Sequence, residues 1–138
     1  MLIYLCLFCA VAVALANGDV TKEEAQKQIG AIKECQSDPE SYTPPELMQK
    51  ISRGEWIEDD RIKKGLLCFS KKLNYINSDG VLNADHVISD YERLYGTDKL
   101  KELRGCVQQQ STPEETAYQL FKCKSAIVGI AVNILEAN

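Results

Sequence analysis

Histidine occurs once in this chain, at His86, and that scarcity removes most enzyme chemistry before any pattern is sought. The adjacent Asp85 and His86 point to different sides of a helix, and no Gly-x-Ser-x-Gly elbow occurs, so no nucleophile-and-base set is evident and an enzyme is not expected. No grouping of His, Cys and carboxylates has zinc spacing, so no cofactor or metal is expected. The Asn77-Ser78-Asp79-Gly80 turn is no calcium loop either. With Gly80 at the sixth position, Tyr75 would stand first and His86 twelfth, where carboxylates are required. An excess of positive charge is also missing, since 16 Lys and Arg face 20 Asp and Glu for a net charge of −4, and no nucleic-acid partner is expected. No Asn-x-Ser/Thr sequon occurs. Long apolar runs are absent as well: Met1 to Ala16 is too short for a span, and Ser125 to Leu135 covers about eleven residues where about 20 are needed. Stable membrane insertion is therefore not expected.

What is present begins with that leader. Met1 to Ala16 is apolar, uncharged and ends in Ala14-Leu15-Ala16, which reads as a signal peptide over residues 1–16 and export to an oxidising extracellular compartment. Residues 17–138, about 122 residues, then form a single domain. Of the six cysteines, Cys6 and Cys9 fall in the leader. Cys35, Cys68, Cys106 and Cys123 remain and read as two disulfides, with three pairings open from sequence alone.

Helix start signals recur along this domain. Thr21-Lys22-Glu23-Glu24, Thr43-Pro44-Pro45-Glu46 and Thr112-Pro113-Glu114-Glu115 each pair a capping Thr with a Glu three residues on, with Pro44 and Pro113 at the first helical position. Thr97 opens another helix, Asp59 or Asp60 a further one, and Asn83 one after the Gly80 turn. Apolar residues follow at helical spacing: Ala25, Ile29 and Ile32, then Ile62, Leu66, Phe69 and Leu73, then Val87 or Ile88 with Tyr91 and Leu94. Leu100, Leu103 and Val107 continue the pattern, as do Ala117 and Leu120 with Tyr118 or Phe121. No convincing run alternates with period two. The expected fold is all-α, a disulfide-linked bundle of six to seven helices.

Three features together resemble the insect odorant-binding protein family, also called the pheromone/general odorant-binding family, over essentially the whole mature length. They are the spacing of Cys35, Cys68, Cys106 and Cys123, the segment Thr116-Ala117-Tyr118-Gln119-Leu120-Phe121-Lys122-Cys123, and the turn from Lys72-Leu73-Asn74 to Asp79-Gly80. The usual family pattern has six cysteines, and these four match the first, third, fourth and sixth. Counting back four from Cys68 reaches Lys64, and counting back nine from Cys123 reaches Glu114, so the second and fifth are missing together, as in the minus-C subclass. The resemblance implies bridges Cys35–Cys68 and Cys106–Cys123, worth roughly 3.8 and 3.2 kcal/mol through loop closure. Lys64 and Glu114 are oppositely charged and stand as a candidate ion pair in place of the lost bridge; the plainer reading is two ordinary solvated side chains.

The resemblance further implies an internal hydrophobic cavity and a secreted carrier of small apolar ligands such as alcohols, aldehydes, esters or fatty acids. The protein would act as a monomer or weak dimer, with a chemoreceptor as a further partner. The expected lining is Trp56, Leu66, Phe69, Leu73, Val87, Tyr91, Leu103, Tyr118, Phe121 and Ile127, against the alternative that each stripe is plain core packing. Trp56 either covers an entrance or anchors a loop. The hydroxyls of Tyr91, Tyr95 and Tyr118 are candidates to orient a guest. The tail Ser125 to Leu135 is a wall or lid, or else a last helix packed outside. His86 is expected to be a surface residue rather than a pH trigger. The competing function is a disulfide-stapled helical interaction protein, of venom, immune or membrane-active type, with a solid core.

Overall fold

The computed structural model of the chain describes residues 22–130, so the leader, the Thr21 start signal and the tail beyond Ile130 lie outside the described residues. Six helices follow one another among the described residues: α1 (22–37), α2 (Pro45–Ser52), α3 (Asp60–Lys72), α4 (Ala84–Tyr95), α5 (Thr97–Arg104) and α6 (Pro113–Val128). Backbone hydrogen bonds hold each helix internally; between α3 and α4 an isolated antiparallel bridge joins Ile76 to Leu82. The chain is an all-α bundle crosslinked by Cys35–Cys68 and Cys106–Cys123, with Cα separations of 5.9 and 5.5 Å.

Start signals act at some helices and are overridden at others. Thr112 caps α6, its hydroxyl accepting from the Glu115 N–H at 3.1 Å with Pro113 in the first turn. Asp59 caps α3 and accepts from the Arg61 N–H at 2.8 Å. Asn83 precedes α4 without a side-chain capping bond. At α2 the cap is Pro44, and Pro45 takes the first turn. Thr43 is drawn away because its segment lies against α3, where its hydroxyl donates to the Arg61 carbonyl at 3.3 Å. Thr97 is the first residue of α5 rather than its cap; Gly96, at φ 82°, turns the chain directly out of α4.

The most extensive helix pairing is α3 against α6. A polar clamp crosses it: the Lys63 ammonium donates to Glu115 at 2.6 Å and pairs with Glu58 at 2.5 Å. These bonds to Glu115 and Glu58 hold the ammonium pKa above its usual value. The ion pair between these helices is thus Lys63–Glu115, not Lys64–Glu114. One residue rotates a helix by about 100°, which leaves Lys64 exposed and turns Lys63 toward α6.

Behind α3 and α6, Val87 of α4 and Leu103 of α5 are both 0% exposed and pack with Leu73, Tyr75, Leu100 and Leu120 into a solid core. The turn between α3 and α4 is tied to α6 at Gly80, whose φ of 81° and closeness to Pro113 leave no space for a side chain; a Cβ there would lie 2.4 Å from the proline ring.

Gly65 is where α3 and the segment before α2 approach most closely, since an added Cβ would meet the Thr43 hydroxyl at 2.4 Å and the Ser41 carbonyl at 3.2 Å. Overpacking costs about 1–3 kcal/mol, and alanine returns about 1 kcal/mol of helix propensity. Gly65→Ala is therefore expected to lower the urea midpoint followed by circular dichroism; an unchanged midpoint would show that the segment yields freely.

Candidate functional site

Faces of five helices converge on a cavity of about 120 Å³. Ile32 and Cys35 of α1 and Met48 and Ile51 of α2 make one side. Ile62, Leu66 and Phe69 of α3, with Leu73 just beyond it, form a continuous stripe because they recur every three or four residues. Tyr91, Leu94 and Tyr95 come from α4, and Phe121, Lys124 and Ser125 from α6. Ile130, past the end of α6, completes the wall, and Gly129 at φ 77° turns the chain to place it there.

Six of the residues expected from sequence, Trp56, Leu66, Phe69, Leu73, Tyr91 and Phe121, line this cavity. Four do not. Val87, one turn before Tyr91 on the same face of α4, and Leu103 of α5 are fully buried in the core cluster and do not reach the cavity. Tyr118 is 0% exposed and packs behind the wall among Leu47, Ile51 and Ile62. Its ring meets the edge of Trp56 at 5.7 Å and lies under the ammonium groups of Lys63 and Lys122, at 5.2 and 5.7 Å. Ile127 packs on the core without reaching the cavity. The physical reason is common to the last two: α6 buries Thr116, Ala117, Tyr118, Leu120, Phe121 and Lys124 over a wide arc, so its pattern does not mark which part of that arc faces the cavity. Trp56, in the connection between α2 and α3, lines the cavity and packs edge to face on Tyr118. Of the tail, Ser125 to Val128 is the last turn of α6 and Ile130 is wall. Residues 131–135 lie outside the described residues.

Lys124 was the residue the sequence pattern hid. It is only 9% exposed, donates to the Tyr95 hydroxyl at 3.5 Å, and stands 5.8 and 5.9 Å from the ring centres of Tyr95 and Phe121. No carboxylate among the described residues pairs with it. Burial pushes its ammonium pKa down to about 8. A charged residue three positions after Phe121 in an apolar helix was the available signal. Nearby, Tyr91 is 2% exposed and its hydroxyl has no hydrogen-bond partner. Burial pushes that phenol above its ordinary range. The Tyr91 and Tyr95 rings meet edge to face at 5.9 Å, and both residues line the cavity together with the lysine.

A second polar group is fully satisfied. The Tyr75 hydroxyl donates to Asp90 at 2.6 Å, and burial together with this bond pushes its pKa far up. Burial opposes ionisation of Asp90, yet hydrogen bonds from Tyr75 and Arg93 outweigh it and hold the carboxylate below the usual range. Arg93 also reaches Glu24 of α1 at 3.4 Å. His86 is exposed, with Nε2 at 3.1 Å from the Leu73 carbonyl, and does not line the cavity. Among the described residues no cluster of three or more His, Cys, Asp or Glu could hold a metal, and no helix is long and apolar enough to cross a membrane.

A crosslinked all-α bundle enclosing an apolar chamber is the architecture of a small-molecule binding protein. The chain belongs to the PBP/GOBP family, whose model matches residues 6–126. It is similar to the B2 protein of Tenebrio molitor, 28% identical over 106 residues that cover 75% of this chain and 81% of that protein. The B1 protein of Tenebrio molitor is 26% identical over 106 residues, covering 75% and 80%. Odorant-binding protein 10 of Aedes aegypti is 35% identical over 78 residues, covering 54% of this chain and 56% of that protein. No solved structure matches the chain significantly. Proteins of this family bind ligands rather than catalyse reactions.

The buried lysine has a measurable cost. Its pKa lies below that of an exposed lysine, about 10.4, so the unfolded chain binds more protons between about pH 8 and that value, and stability rises with pH across the window. The penalty is complete below about pH 8 and amounts to about 3 kcal/mol. Lys124→Met is expected to be more stable than the parent at neutral pH by up to about that amount, with the advantage vanishing above about pH 10. Paired denaturation curves across pH test this; a destabilised variant would show that the ammonium is compensated.

Proposed function

We propose that this protein is a secreted carrier that takes small hydrophobic molecules, of the alcohol, aldehyde, ester or fatty-acid type, into its internal cavity and solubilises them. The observation that carries the reading is the cavity itself: helix stripes that would close into solid core in an ordinary bundle leave open volume instead. A disulfide-stapled interaction protein would have its centre filled. Family membership and the similarity to an odorant-binding protein support the same role. Export through removal of residues 1–16 belongs to this reading, as do minus-C character, action as a monomer or weak dimer, and delivery to a chemoreceptor.

Burial of about 300–400 Å² of apolar ligand surface supplies roughly 8–10 kcal/mol before the costs of association and ordering. Micromolar dissociation constants are the natural result. The open volume is small, so any guest of more than a few heavy atoms must push side chains aside. Met48, an unbranched thioether, and Ile130, on the chain beyond α6, are both part of the cavity wall.

Trp56 is the sole tryptophan of the sequence and lines the cavity, which makes it a built-in reporter. Titration with apolar alcohols, aldehydes, esters and acids is expected to change its emission saturably, with one-to-one stoichiometry, and to displace a bound environment-sensitive fluorophore. No uptake of the fluorophore and no change at Trp56 under any condition would end the carrier reading.

A further inference from the structure

The cavity is not uniformly greasy, and its polar corner is oddly composed. An alcohol, ester or aldehyde carrier needs a donor or acceptor for orientation, for which a phenol suffices. It does not need an ammonium group buried without an anion, which is among the more expensive things a small domain can contain. Three groups belong to that corner: the Lys124 ammonium, the Tyr95 hydroxyl it touches at 3.5 Å, and the buried, unpartnered hydroxyl of Tyr91, whose ring packs edge to face on that of Tyr95. All three residues line the same open volume. The rest of the wall is mostly hydrocarbon or aromatic, including Ile32, Met48, Ile51, Ile62, Leu66 and Phe69, with Gln28, Gln36, Thr43 and Ser125 as its other polar members.

We propose that Lys124, Tyr95 and Tyr91 form a receptor for the carboxylate of an apolar monocarboxylic acid, whose hydrocarbon chain occupies the remainder of the cavity. One cation and two neutral O–H donors match the single charge and two oxygens of a carboxylate. The arrangement is complementary in a second sense. The ligand's anion removes the deficit that burial imposes on Lys124, and the free Tyr91 hydroxyl gains the partner it lacks. Binding this class therefore satisfies groups that a neutral guest leaves strained, so the site selects by charge among ligands of equal length.

The charged groups on the surrounding helices do not compete. Asp90 of α4 is occupied by Tyr75 and Arg93, and Glu24 of α1 by Arg93 and Gln28. From α4 the titratable groups facing Lys124 are the phenols of Tyr91 and Tyr95, both pushed above their ordinary range by burial. Burial alone lowers the lysine. Selectivity for the acid is thus expected between the ligand's own pKa, about 4–5, and the free-protein lysine value of about 8, and to decline at higher pH.

The inference rests on the carrier reading and is tested so that the two can fail separately. Octanoic acid, octanol, octanal and methyl octanoate compete against an uncharged naphthylamine fluorophore at about pH 7, in the parent protein and in Lys124→Met, with folding of the variant confirmed by circular dichroism. In the parent, octanoate is expected to displace the probe at a concentration about tenfold or more below that of octanol. In Lys124→Met the ratio is expected to fall to about one. Equal displacement by acid and alcohol in the parent, or an undiminished ratio in the variant, would overturn the carboxylate receptor while leaving the carrier intact. Trapping of octanal on Lys124 by borohydride, without any preference for the acid, would overturn it too, because the amine would then serve carbonyl chemistry. Failure of the probe and every competitor to bind would refute the carrier itself.

Discussion

The position of α3 governs everything else in this molecule. Its apolar stripe forms the longest continuous wall of the cavity, and hydrophobic attraction acting alone would draw the neighbouring helices inward until that space was filled. Opposing constraints hold it in place. The Cys35–Cys68 bond ties it to α1, the Lys63–Glu115 pair spans its contact with α6, and Thr43 touches it so closely at Gly65 that nothing larger than hydrogen fits. The second disulfide fixes α6 from the other side, through the segment that follows α5. Solid packing of Val87, Leu103 and Leu120 behind the wall gives this frame its rigidity.

Within that frame the polar groups divide into two kinds. Tyr75, Asp90, Arg93 and Glu24 form a connected network in which each member has a partner, as buried polar groups in a stable interior generally do. Lys124 and Tyr91 do not meet that standard: one is charged without an anion, the other a hydroxyl without a partner. Local departures from good packing practice concentrate where a protein has something to bind. Both line the cavity, and that location gives the departure its meaning. Tyr118, also unpartnered at its hydroxyl, is shut behind the wall, and nothing in the structure connects it to a guest.

Much of this could be read along the chain. Helix class, the Asp59 and Thr112 caps, the α3 stripe and six cavity residues follow from spacing and local chemistry, because each depends on residues within about two turns of one another. Thr43 and Thr97 were less legible, since a distant carbonyl and a glycine turn displaced the local preference for capping. The Lys63–Glu115 pair was not legible for a related reason: which of two adjacent lysines faces α6 depends on the rotation of α3 about its axis, and that is set by packing.

By itself, then, the sequence determined the six-helix, cysteine-linked character of the domain and the periodic apolar faces from which a chamber could be made, because covalent composition and short-range periodicity are properties of the chain. Only the tertiary structure decided which of those faces meet across open space and which meet each other. The stripe of α3 looks the same whether it is wall or filler, and α6 buries residues over a wide arc of its surface. The role of Lys124 is the sharpest instance: a lysine in a row of helical residues reads as solvated, and it becomes a buried cation only because Tyr95 and Phe121, from different helices, close over it.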